Sequence, residues 1–289
     1  MKHELIISLI CVLLFGACNE DNFEERLPDL PTEPIIVLYE NDVHCAVDGY
    51  PMLVSLRNDC LSRTDYVSTV SCGDFASGGF VGAISKGEQI VEIMNYVGYD
   101  VVVLGNHKLD YGMQQMFHLT EALDAPAVCA NLKNIQTDTY PYPAYHMVRY
   151  GEVDVAYIGF TTTTSGTVTS LSDEQGNPLY SFMRENFYEN AQHFIDEARR
   201  NGADYVIALS HLGDSEKTGG HPNSTGLIAY TTDLDAVIDG HDHHVIEEQL
   251  VNNKEGKPVL LTSSGTNFQY VGQLTINTDG SVQSSLIDI

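Results

Sequence analysis

Residues 101–110 read VVVLGNHKLD. Val101, Val102, Val103 and Leu104 form an apolar, mostly β-branched run too short for a helix, so they are read as a buried strand. Gly105 lets the backbone turn sharply, and Asn106, His107 and Asp110 follow at once. The same arrangement, an apolar strand running into Asp, Asn or His, recurs along the chain. Residues 35–39 lead to Glu40-Asn41-Asp42-Val43-His44, and 66–71 lead to Cys72-Gly73-Asp74. Residues 205–210 lead to His211-Leu212-Gly213-Asp214, and 236–238 to Asp239-Gly240-His241-Asp242-His243. In open α/β sheets the ligand crevice lies beyond the carboxyl ends of the strands, so these clusters are predicted to converge.

Working outward, further strands are expected at 127–130, 153–160 and 258–262, with a closing pair at 270–276 and 282–287 turned by Asp279-Gly280. Helices are expected at 52–62, 82–96, 113–123 and 185–200. The last places Phe187, Ala191, Phe194, Ile195 and Ala198 near the helical period. Alternation of strand and helix over the whole length predicts an α/β layered fold. No internal repeat is visible, and residues 35–289 read as one domain.

Residues 1–17 combine Lys2, an apolar run and a small pair, Gly16-Ala17, before Cys18. The run is too short to span a bilayer, which needs about 20 apolar residues, and reads as an export signal. It resembles a bacterial lipoprotein signal whose Cys18 is lipidated. Residues 18–34, acidic and carrying Pro28, Pro31 and Pro34, read as a tether. The implied location is the cell envelope, at the outer membrane with possible surface exposure, and the membrane contact is through the lipid alone. Cys45, Cys60, Cys72 and Cys129 are read as buried thiols behaving as small hydrophobes.

The chain has 40 Asp+Glu against 14 Lys+Arg, a formal net charge of −26. Such a surface repels phosphate backbones, so a nucleic-acid polymer is excluded as partner. Carboxylates gathered with imidazoles at strand ends would also repel one another if buried without a cation. Divalent metals remove that cost, and a mixed N and O donor set suits Zn, Mn, Fe or Co.

The ordered set D-x-H, G-D, G-N-H-x-x-D, H and G-H-x-H resembles that of calcineurin-like metallophosphoesterases. Met94-Asn95, Gly98-Tyr99-Asp100, GNHKLDYG, SHLGD and GHDHH are similar to the 5′-nucleotidase and 2′,3′-cyclic phosphodiesterase branch, over about residues 35–289. The resemblance implies a sandwich of two β-sheets flanked by helices (α/β/β/α). It implies two divalent metals bridged by Asp74, one completed by Asp42, His44 and His243, the other by Asn106, His211 and His241. His107 and Asp110 match the family's catalytic dyad. The implied activity is hydrolysis of small phosphoesters, 5′-nucleotides or 2′,3′-cyclic nucleotides; a non-catalytic metal- or nucleotide-binding module is the alternative. No H-E-x-x-H favours a peptidase. Lys108 stands where the family commonly has an acidic residue, and Cys45 where it commonly has Gly. Family members carry a second, C-terminal specificity domain, for which a separate subunit is the expected substitute here. His221 is read as a plain loop residue, with the border of the substrate mouth as the other reading. Asp214 and Asp242 are read either as orienters of the ligands or as surface groups.

Overall fold

Along residues 35–39 the side chains alternate between two cores: Ile36 and Leu38 join one, Ile35, Val37 and Tyr39 the other. That period of two is what a strand with both faces covered requires. The computed structural model describes residues 28–163, 171–172, 175–215 and 220–289, apart from the side chain of Lys108. The expected signal at 1–17, Cys18 and the tether as far as Leu27 lie outside the described residues.

In chain order the elements begin β1 (Ile35–Glu40), α1 (Tyr50–Leu61), β2 (Val67–Ser71), α2 (Gly79–Ser85), α3 (Glu88–Val97) and β3 (Val101–Val103). They continue α4 (Met113–Ala122), β4 (Ala127–Val128), β5 (Leu132–Asn134), β6 (Tyr145–Tyr150), β7 (Val153–Thr161) and β8 (Tyr180–Phe182). Next come α5 (Phe187–Arg200), β9 (Tyr205–His211), α6 (Ser224–Tyr230) and β10 (Ala236–Ile238). The chain closes with β11 (Val245–Asn252), β12 (Pro258–Ser264), β13 (Tyr270–Ile276) and β14 (Val282–Asp288).

Two six-stranded sheets result, ordered β14-β13-β1-β2-β3-β4 and β11-β12-β10-β9-β7-β6, with β5 and β8 as a small separate pair. The core between the sheets is built by Val37, Val70, Val103, Tyr157, Leu209 and Ile238. The outer face of the first sheet packs on α1, α3 and α4 through Leu53, Ile90, Met94 and Met116, all buried. The outer face of the second packs on α5 and α6 through Phe187, Ile195 and Leu227. The layering is therefore helix, sheet, sheet, helix. Each fully buried aliphatic side chain contributes roughly 1.5–3 kcal/mol to this association.

The strands β1, β2 and β3 are parallel, as are β7, β9 and β10, so their carboxyl ends share one edge of the sandwich. The hairpin β13–β14 forms as expected, with Gly280 at a φ of 83° in its turn. One expectation needs correction: residues 82–96 are not a single helix. Lys86 and Gly87 take left-handed conformations (φ 49° and 92°) that end α2 and start α3. The sequence reading also passed over the short strands of the β5–β8 pair, edge strands β6 and β11, and α6, whose cap is Asn223 accepting from the Gly226 amide at 2.8 Å. The four cysteines of the folded part are free and buried. At the end of the tether segment, Pro31 is buried and the Asp29 amide donates to Asp204 at 3.0 Å. Among the described residues, no helix is long and apolar enough to cross a membrane.

Candidate metal centre

The strand ends deliver their side chains through unusual backbone. Asp42, His44, Asp74, His241 and His243 all have positive φ, between 44° and 81°. For residues with a Cβ this is uncommon, tolerated best by Asp, Asn and His, and costs of order 1 kcal/mol or more each. Tertiary hydrogen bonds hold the chain there. The Asp42 amide donates to Gly73 O at 3.0 Å, the His44 amide to Asp74 O at 3.0 Å, and the His241 amide to the Asp42 carboxylate at 2.8 Å. Two glycines make room. A Cβ on Gly105 would stand 2.0 Å from Asp74 Oδ1, and one on Gly240 would stand 2.9 Å from Asp42 Oδ2.

The side chains form two groups. In the first, Asp42 Oδ1 lies 3.4 Å from His243 Nε2 and 3.8 Å from His44 Nε2, and the two imidazole nitrogens are 3.1 Å apart. In the second, His211 Nε2 lies 3.0 Å from Asp74 Oδ2 and 3.2 Å from Asn106 Oδ1, and His241 Nδ1 lies 2.8 Å from that same Asn106 oxygen. Asp42 Oδ1 is also 3.8 Å from His211 Nε2, so by distance Asp42 joins both groups. Asp74 sits with His211 and offers its other oxygen to the His107 amide at 2.9 Å.

Hydrogen bonding alone does not satisfy this set. Asp42 Oδ1 is buried with no hydrogen-bond partner, although three imidazole nitrogens surround it. His211 Nδ1 is 2.7 Å from Cys72 O, which fixes that nitrogen as a donor and turns Nε2 toward two oxygens. A neutral imidazole has one N–H and cannot serve both sides. Burial works against the His211 cation, but Asp74 and Asp42 outweigh it and push the group up to about 9. The same opposition, burial against His211, ends with both carboxylates held below the ordinary carboxylate range. Lone pairs of N and O converging on a buried orphan carboxylate oxygen fit divalent cations. Each of the seven residues named from the sequence as a ligand lies in one of the two groups.

Beside them, His107 Nδ1 is 2.8 Å from Asp110 Oδ2, and the His107 ring stands edge-on to His44 at 5.4 Å. Two residues escaped the sequence reading. Ser77 donates through Oγ to Asp110 Oδ2 at 2.7 Å, while its main-chain oxygen is 3.1 Å from His44 Nδ1. Asn41 is buried; its Nδ2 donates to Asp42 Oδ2 at 2.9 Å and its Oδ1 accepts from the Ser264 amide at 2.8 Å. Asn41 adjoins Asp42 in sequence, which is the one available signal; for Ser77 there is none.

Other expectations fall nearby. Asp214 pairs with His244 at 2.7 Å, and Asp242 accepts from the Ser215 amide at 3.0 Å, so both carboxylates brace the strand-end loops. Cys72 donates its S–H to Ile238 O at 3.3 Å, and burial pushes its thiol well above the ordinary value. Burial likewise lifts Cys45 to about 11. Neither thiol belongs to a donor group among the described residues.

A family model for calcineurin-like phosphoesterases matches residues 36–245. The chain is similar to the trifunctional nucleotide phosphoesterase protein YfkN of Bacillus subtilis, 25% identical over 295 residues, covering 89% of this chain and 19% of that protein. It is 28% identical over 181 residues to the 2′,3′-cyclic-nucleotide 2′-phosphodiesterase/3′-nucleotidase of Haemophilus influenzae, covering 59% of this chain and 26% of that one. The chain thus spans about a fifth to a quarter of the length of these relatives. Its fold matches the crystal structure of a 5′-nucleotidase precursor from Thermus thermophilus with a TM-score of 0.74 at 20% identity, over 89% of this chain and 54% of that one.

Proposed function

Because the chain belongs to the calcineurin-like phosphoesterase family, we propose that it hydrolyses small phosphoesters, 5′-nucleotides or 2′,3′-cyclic nucleotides, at a dinuclear centre. The observation that carries this reading is the orphaned Asp42 Oδ1 among three imidazole nitrogens, with a His–Asp pair alongside that no ligand set requires. Asp42, His44 and His243 would hold one cation, and Asp74, Asn106, His211 and His241 the other. Asp42 Oδ1 lies within 3.8 Å of imidazole nitrogens of both groups, and Asp74 sits with His211. Cations held there supply charge to polarise a phosphate and to acidify a water.

The rest belongs to the chain. Asp110 accepts from His107 Nδ1 at 2.8 Å, which holds the ring in one orientation. His107 then hands a proton to the departing alkoxide oxygen as its bond to phosphorus breaks. The Ser77 hydroxyl holds Asp110 in line for this, and Asn41 fixes the carboxylate of Asp42. We further propose that residues 1–17 direct export and that Cys18 is lipidated; palmitate labelling that survives Cys18→Ser would refute the anchor.

The test is turnover of phenyl phosphate, 5′-AMP and 2′,3′-cyclic AMP. Chelator treatment is expected to abolish activity, and Mn or Zn to restore it while Ca does not. Metal-loaded, folded protein that turns over none of the three would overturn the proposal.

A further inference from the structure

The ladder that joins β9 to β10 stops short of the candidate metal centre. Its last pair is Leu209 with Ile238, two residues before His211 and three before His241. Both histidines nonetheless reach one atom: His211 Nε2 and His241 Nδ1 stand 3.2 and 2.8 Å from Asn106 Oδ1. Past the ladder, the two strand ends are joined through a side chain.

That side chain is Asp239. It is buried, and its Oδ1 accepts at 3.2 Å from the amide of Gly213, two residues beyond His211. The Gly240 amide and the hydroxyls of Ser224 and Ser210 face the same carboxyl. Those two hydroxyls are 2.7 Å apart, and both residues are fully buried. Ser210 Oγ also accepts from the Leu212 amide at 3.3 Å, and the Ser224 amide donates to Gly213 O at 2.8 Å, which draws α6 into the same network. The main chain on both sides of His211 is thus tied to the residue that precedes Gly240 and His241. Asp239 itself lies in neither donor group. A buried carboxyl is destabilising unless its oxygens are satisfied, and its two oxygens can take about four hydrogen bonds, enough for this network.

The tolerance at this point is small. A Cβ on Gly240 would stand 2.9 Å from Asp42 Oδ2 and 3.0 Å from His211 Nδ1. A drift of about 1 Å in residues 239–241 would press on those side chains or draw His241 off Asn106, and a site that loose loses its function. We propose that Asp239 is a positioning residue for the cation assigned to Asp74, Asn106, His211 and His241, acting by fixing the backbone that carries the two histidines and not by its charge. The inference rests on the dinuclear reading above. The other cation should be indifferent to it, because the amides of Asp42 and His44 are held by the carbonyls of Gly73 and Asp74.

The experiment strips the full chain of metal and titrates it with Mn²⁺ by equilibrium dialysis, with thermal denaturation of the same samples to follow folding. The wild type is expected to take up two ions. In Asp239→Ala one of them should bind about 10–100-fold more weakly, the usual loss when the partner that orients a ligand is removed, while the other keeps its affinity. Asp239→Asn keeps an oxygen for the Gly213 amide and should recover most of that loss. Ser224→Ala keeps the Asp239 carboxyl and should weaken the same ion by less; it carries the test if Asp239→Ala does not fold, and unchanged binding there would overturn the proposal. Equal losses in Asp239→Ala and Asp239→Asn would overturn it too, since charge alone would then account for them. So would equal weakening of both ions. Phenyl phosphate turnover by a two-metal wild type whose Asp239→Ala variant keeps both ions refutes this inference alone. Selective loss of one ion from a protein that turns over no ester refutes the hydrolase reading alone.

Discussion

Replacing Ser77 by alanine isolates the contact that joins the His–Asp pair to the centre. Ser77 is buried and gives its hydroxyl to the Asp110 oxygen that His107 also uses, at 2.7 and 2.8 Å. A hydrogen bond to a charged group is worth about 1.5–3 kcal/mol when shielded. His107 and Asp110 are each 45% exposed, so solvent screening reduces that to about 1 kcal/mol. At about 1.4 kcal/mol per tenfold, kcat should fall about fivefold, with KM unchanged. Metal content should stay at the wild-type level, because the main-chain oxygen facing His44 Nδ1 survives the substitution. Steady-state kinetics and metal analysis by plasma emission read both quantities. The decisive comparison repeats the substitution in an Asp110→Asn background, where losing the hydroxyl should cost almost nothing. A full fivefold loss in that background would refute the reasoning, since Ser77 would then act elsewhere; a loss of metal would make it a structural support of His44.

Three further outcomes are expected. His107→Ala should retain both metals and lose about 10²–10⁴ in turnover, and a fall in metal stoichiometry would reassign it as a ligand. Asp42→Asn and Asp74→Asn should each weaken metal binding at both positions, as read by equilibrium dialysis; an unchanged stoichiometry in either variant would remove that carboxylate from a shared role. Gly105→Ala would put a Cβ 2.0 Å from Asp74 Oδ1 and 2.4 Å from the Asp74 amide, so the loop must shift. The variant should lose about 1–3 kcal/mol by denaturant titration together with its metal, and wild-type values for both would contradict the close approach.

The parts of the fold that were legible are those whose two faces are both covered. In β1, β3 and β9 every residue is buried, so each strand reads as an apolar run, closed in β1 by Glu40 and in β9 by Ser210 and His211. Edge strand β11 reads VIEEQLVN and is mostly exposed, and β6 at the other edge reads YHMVRY; neither composition separates a strand from a loop. The break between α2 and α3 escaped because Lys86 tolerates helix and only its tertiary setting forces φ to 49°. The proposed ligands were legible because each stands at a strand end, a position that sequence order marks. Ser77 was not, because its role depends on Asp110, 33 residues away, and on a main-chain oxygen that any residue would supply. The positive φ values at Asp42, His44 and Asp74 likewise come from hydrogen bonds between strand ends and not from residue type alone.

Under the proposed function, the acidity of the chain and the charge of its pocket have opposite tasks. The two donor groups contain four imidazoles and an amide but only two carboxylates, Asp42 and Asp74. Two divalent cations bring +4 against −2, so the pocket stays net positive before a hydroxide forms. A carboxylate in place of any of these imidazoles would cancel charge that an incoming phosphate needs, which gives a physical reason for the imidazole-rich set. The surface works the other way. At a net charge of −26 it repels any polyanion that must lie across it. A small phosphoester meets little of that surface, whose field decays over about 10 Å at 0.1 M salt, and feels mainly the pocket. The selection against long polyanions is thus made outside the active site, by residues that never touch the substrate.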